Sequence, residues 1–142
     1  MKITIHQITF LIGLFLASCA SDKNNDPASP SPSSDARDKF VAYWNVSENS
    51  ATAGANSHTV NITKSSSISN EIEISNYSGL SVTAKASVNN NILTIPYQQL
   101  GSIGFTKGTA TLTAATSISF NYTTTIGNNN NRDSCTAIYT KQ

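Results

Sequence analysis

The sequence predicts an all-β domain, a small antiparallel up-and-down β-barrel of about eight strands, with a two-sheet β-sandwich as the alternative. Three observations predict it. Beyond residue 38, apolar and polar residues alternate with period two in one segment after another, and no segment carries a convincing helical period. Ser, Thr and Asn supply 54 of the 142 residues, and their side chains compete for the backbone hydrogen bonds that a helix needs. Turn chemistry recurs between the alternating segments, at Ser65-Ser66-Ser67, Ser78-Gly79, Asn89-Asn90-Asn91 and Gly127 with four asparagines. Antiparallel strands with one polar face must hide the other face. A meander does so by closing on itself, which also removes its edges.

The strands follow in order. Phe40, Ala42, Trp44 and Val46 share the first apolar face, and His58, Val60 and Ile62 the second. Ile72 and Ile74 form a third, with Glu71 and Glu73 on the opposite, solvent face. Leu80 to Val88 is the cleanest alternation, followed by weaker strands at Ile92 to Pro96 and Thr109 to Thr113. Ile118, Phe120 and Tyr122, then Cys135, Ala137 and Tyr139, complete the set. First and last strands are neighbours in a closed meander, so Phe40, Trp44, Phe120, Tyr122 and Tyr139 are expected to converge inside. They form either a packed core or the lining of a small-ligand site, and an eight-stranded barrel permits both. A membrane-spanning barrel would need strands of about 9–11 residues with an apolar outer band. Most of the predicted strands are shorter, and their outer faces are polar.

The N-terminus divides into a leader and a tether. Lys2 precedes the apolar run Ile8 to Ala17, which closes in Leu16-Ala17-Ser18-Cys19. An apolar run of this length suits a secretory signal and is too short to span a bilayer. The closing string resembles the lipobox of bacterial lipoproteins. That resemblance implies cleavage after residue 18 and lipidation of Cys19. Ala20, rather than aspartate, follows the cysteine, which implies sorting to the outer membrane. Residues 20–38 hold Pro27, Pro30 and Pro32 and no large apolar side chain. Such a segment cannot bury enough surface to offset its ordering entropy. Its 19 residues reach roughly 60 Å at full extension. The expected organisation is a leader over 1–18, lipidated Cys19 and tether over 19–38, and the barrel over 39–142.

Charge and chemistry narrow the function. The nine basic and eight acidic residues include Lys2, so the processed chain is balanced, which argues against nucleic acid as a partner. His58 is the one histidine beyond the leader, and no G-x-S-x-G elbow accompanies it. A catalytic triad or a zinc site needs more groups than these. No enzyme activity, metal or cofactor is expected. Glu71 and Glu73 stand about 6.8 Å apart by strand rise, and facing solvent they are structural. Cys135, in phase with Ala137 and Tyr139, is expected to be a small buried hydrophobe.

An aromatic first strand, Phe40-Val41-Ala42-Tyr43-Trp44-Asn45-Val46, and an ending Cys135-Thr136-Ala137-Ile138-Tyr139-Thr140-Lys141 frame the strands. With the lipobox, this layout resembles the small lipocalin-like lipoproteins of Gram-negative bacteria. Members with this pattern often carry a cysteine just after the first strand, where this chain has Ser47-Glu48-Asn49-Ser50. The resemblance implies a lipid-anchored barrel at the outer membrane. The expected function is binding of a small apolar or amphiphilic ligand through Phe40, Trp44, Phe120, Tyr122 and Tyr139. The alternative is a filled barrel that serves as an accessory subunit of an outer-membrane complex.

Overall fold

The computed structural model describes residues 34–127 and 132–142. The predicted leader, Cys19, most of the tether and the asparagine run lie outside the described residues. Eight strands form one closed, all-antiparallel barrel in sequence order. They are β1 (Ala42–Ser50), β2 (Gly54–Lys64), β3 (Glu71–Ser75), β4 (Thr83–Asn89), β5 (Ile92–Leu100), β6 (Gly104–Ala114), β7 (Ser117–Ile126) and β8 (Arg132–Lys141). β1 closes the barrel against β8, with Trp44 opposite Lys141 and Ser50 opposite Cys135. The barrel is therefore the observed alternative, and the sandwich is not.

Period-two alternation explains each wall. Trp44, Val46, Glu48 and Ser50 of β1 are buried, while the residues between them are exposed. Ile118, Phe120, Tyr122 and Thr124 of β7 are buried in the same way, as are Cys135, Ala137 and Tyr139 of β8. Several strands outrun their predicted length, β2 and β6 reaching 11 residues and β7 and β8 reaching 10. Strand length therefore does not argue against a spanning barrel, although the outer faces remain polar. β7 turns Ser119, Asn121, Thr123 and Thr125 outward, with no apolar band.

The fourth strand begins later than its alternation predicts. Leu80 belongs to the connection from β3, in which Tyr77–Gly79 forms a single 3-10 turn. Ser81 has φ 56°, which ends the extended run and delays β4 to Thr83. Asn76 amide closes this connection, accepting from the Ser81 N–H at 3.0 Å and donating to the Thr59 carbonyl at 2.8 Å.

One end of the barrel is plugged. Phe40 and Trp44 are both fully buried there, and the Trp44 indole N–H donates to the Phe40 carbonyl at 2.8 Å. The Lys141 ammonium lies 5.5 Å from the Trp44 ring centroid. The chain enters at this end, and the entry is stapled. Arg37 pairs with Asp35 at 2.7 Å and donates to the carbonyls of Ser65 and Ile68, each at 3.1 Å. Residues 35–38, which composition groups with the tether, thus pack on the β2–β3 turn. The opposite end, where the turns after β1, β3 and β5 lie, is the mouth.

Candidate binding site at the barrel mouth

The five aromatic residues predicted to line a site are all buried, none more than 4 % exposed. The rings occupy three levels along the barrel axis. Phe40 and Trp44 form the plug. Phe120 and Tyr139 stack at mid-height, with centroids 4.1 Å apart. Tyr122 stands nearer the mouth and packs on Tyr77 at 5.1 Å. The plugged and middle levels are filled by side chains, as a barrel of this size allows.

Polar groups gather at the mouth. Glu48 is in phase with Trp44 and Val46, and its side chain therefore points inward at 6 % exposure. The Tyr122 hydroxyl donates to its carboxylate. The Ser78 hydroxyl does the same from the 3-10 turn, 3.1 and 3.2 Å from the two oxygens. Burial pushes the Tyr122 hydroxyl well above the usual tyrosine range, and the hydrogen bond to Glu48 adds to this. Tyr122 is thus a fixed donor rather than an acid. Behind it the Tyr77 hydroxyl meets Thr106 Oγ1 at 3.3 Å, and Thr106 donates to the Thr123 carbonyl at 3.0 Å.

His58 is the unsatisfied member of this group. It is half-buried on the inward phase of β2, opposite Val46. Both ring nitrogens are closed off from solvent, and neither has a hydrogen-bond partner among the described residues. Desolvation lowers its pKa, opposed by the charge on Glu48. The roof over it is Gly79, at φ +70°, where an added Cβ would lie 3.5 Å from the imidazole. Buried polar groups are nearly always paired, so a group that is not asks for an explanation.

A second polar knot flanks the mouth at the start of β8. The Ser50 hydroxyl donates to Asp133 at 2.6 Å and accepts from the Ala53 N–H at 2.7 Å. The Cys135 thiol contacts the same Asp133 oxygen at 3.5 Å. Burial, with the Asp133 charge, pushes that thiol up to about 12. Cys135 is buried in phase with Ala137 and Tyr139, and among the described residues no disulfide engages it. Glu71 and Glu73 lie on the outer wall, where Lys85 reaches both at 3.4 and 3.7 Å. In the sequence Glu48 does not stand out as a site residue, and Ser78 marks only a turn. The available signal was an acidic residue on the apolar phase of an otherwise regular strand.

No protein-family model and no curated protein sequence matches the chain. Solved structures do match. One is a redesigned beta barrel, with TM-score 0.56 and 14 % identity, covering 76 % of this chain and 96 % of that one. Another is mFAP2b bound to DFHBI, with TM-score 0.57 and 13 % identity, covering 76 % of this chain and 98 % of that one. At these identities the likeness is one of fold: the chain is an eight-stranded antiparallel β-barrel similar to these barrels.

Proposed function

We propose that the protein is a lipid-anchored, non-enzymatic binding protein of the bacterial outer membrane. It is held through Cys19 and takes a small amphiphilic ligand at the barrel mouth. The Leu16-Ala17-Ser18-Cys19 string behind a charged, then apolar, leader supports the anchor. That string and the barrel are what the likeness to small lipocalin-like lipoproteins rests on. One observation carries the binding site: a buried carboxylate, Glu48, beside an imidazole whose two nitrogens have no partner. A ligand head carrying a donor and an acceptor would bond to both groups, and its apolar part would lie against Tyr77 and Tyr122.

Entry requires the tip of the turn, Ser78 and Gly79, to lift while Tyr77 stays seated in the core. Asn76, Ser78 and Ser81 all have φ above +50°, a costly region for residues with a Cβ. Lifting the tip breaks the Ser78–Glu48 hydrogen bonds but no ladder hydrogen bonds, so it opens more easily than a strand. The fold neighbour bound to DFHBI illustrates that a barrel of this type accommodates a ligand. Burial holds the Cys135 thiol protonated, and among the described residues no nucleophile is hydrogen-bonded to His58.

A second reading is favoured by the packing of Phe40, Trp44, Phe120 and Tyr139. In it the filled barrel is an accessory subunit of an envelope complex. Gentle purification of the native lipoprotein, followed by native mass spectrometry, decides between them. The ligand reading expects a releasable small-molecule adduct that Glu48→Ala and His58→Ala lose while remaining folded. An adduct-free protein that crosslinks in cells to another envelope protein would establish the second reading instead.

A further inference from the structure

The outer wall carries a surface that the mouth does not use. Within β5 the ladder slips: Ile95 pairs with Gly108 and Gln98 with Thr106, so Pro96 and Tyr97 together face Lys107. The bulge turns Tyr97 outward, where it is 70 % exposed. Its ring lies flat on Phe105, with centroids 5.2 Å apart and planes 2° apart. Next to this stack a groove of about 540 Å³ crosses the outer faces of β5 to β8. Asn121, Thr123 and Ser134 line it, and Lys107 and Arg132 flank it. Among the described residues, neither cation makes an ion pair.

We propose that this groove binds an acidic saccharide chain, of the class bearing uronic-acid carboxylates. The aromatic ledge is the first reason. A pyranose ring has a flat C–H face that packs on an aromatic face, and Phe105 holds the Tyr97 ring in place from behind. The floor is the second reason. Asn121, Thr123 and Ser134 set hydroxyl and amide groups into a largely apolar lining, which suits a sugar, whose hydroxyls need groups that donate and accept and whose C–H faces need apolar contact. The third reason is charge: two cations without acidic partners complement carboxylates spaced along a chain, and Arg binds them bidentately.

A rival occupant fits less well. Single-stranded nucleic acid needs a basic track and several open ring faces, and here one stacked pair stands beside two cations.

The test uses the full-length protein in nonionic detergent, titrated calorimetrically with hexagalacturonate and with neutral cellohexaose. Hexagalacturonate should bind, with cellohexaose roughly tenfold weaker or more. Tyr97→Ala and the double change Lys107→Ala/Arg132→Ala should each weaken hexagalacturonate by about tenfold or more. Tyr97→Trp should retain binding, and added salt should weaken it. These side chains lie on the outer wall, so circular dichroism should show all variants folded. Absence of binding at millimolar hexagalacturonate, or equal affinity in Tyr97→Ala, would overturn the proposal. Binding to phosphatidylglycerol vesicles that requires the same residues, without saccharide binding, would overturn it in favour of a membrane-facing patch.

Discussion

Glu48 sits where the alternation of its own strand calls for an apolar residue. The stretch Ser47-Glu48-Asn49-Ser50 is polar throughout and lies beyond the first predicted apolar face, which ends at Val46. Only the barrel, by carrying β1 through to Ser50, turns the carboxylate inward. Trp44 and Cys135 were legible for the opposite reason, because neighbours two residues away state their phase. Trp44→Ala should therefore cost about 3–5 kcal/mol, a large share of a typical total stability of about 5–15 kcal/mol. Denaturant melts measure it, and a change typical of an exposed site would contradict the plug. Cys135 should react with thiol reagents far more slowly in the folded than in the unfolded protein, because burial pushes the thiol up to about 12. Labelling followed by mass spectrometry checks this. His58 makes a pH prediction. In the unfolded chain it takes up a proton near 6.5, and in the folded barrel only at lower pH. Between those values the unfolded state holds more protons, so stability falls as pH drops through 6.5. His58→Gln should flatten the stability curve between about pH 7 and pH 5. An unchanged slope in urea melts would show that His58 is freely solvated.

The elements were legible where period two was uninterrupted and obscure where a special backbone intervened. The β5 run was expected to end at Pro96, yet the strand continues to Leu100. It does so because Gln98, Gln99 and Leu100 pair with Thr106, Phe105 and Gly104 of β6, while on the β4 side the Gln98 side chain stands in for a strand partner. Its amide accepts from the Lys85 N–H at 2.9 Å and donates to the Lys85 carbonyl at 2.7 Å. Side-chain mimicry of a peptide group leaves no periodic trace. β6 was placed at Thr109 to Thr113, and its first half, with Gly104 and Gly108, lacks the usual strand signal. Gly108 is there because β6 and β7 approach closely: a Cβ would stand 2.4 Å from Tyr122 Cβ. Gly108→Ala should destabilise the barrel by about 1–3 kcal/mol, read by thermal melts, with a neutral change refuting the close approach. The staple at the other end is testable by hydrogen exchange. Arg37→Ala should speed exchange in residues 65–71 and leave β7 and β8 unaffected. Equal protection would show that the staple does not order the turn.

At the scale of the whole molecule, the meander sorts its side chains by height. Aromatic rings fill the end at which the chain enters, and polar groups gather at the mouth. The closed barrel was legible because eight amphipathic segments with short turns have few ways to hide one face. The axial sorting was not, because register between strands decides which inward residues share a level, and a single sequence does not state register. Cys19→Ser should abolish acyl mass and detergent partitioning, and an unacylated native protein would remove the anchor from the account. The account centres on the mouth, with the Trp44 end permanently filled. The most direct measurement is a crystal structure of the protein purified from its own envelope without denaturation. It should show non-protein density within hydrogen-bond distance of His58 and Glu48, with Ser78 and Gly79 lifted and the Phe40–Trp44 plug unchanged. Gly79 seated on His58, together with a ligand parting the rings around Trp44, would contradict it.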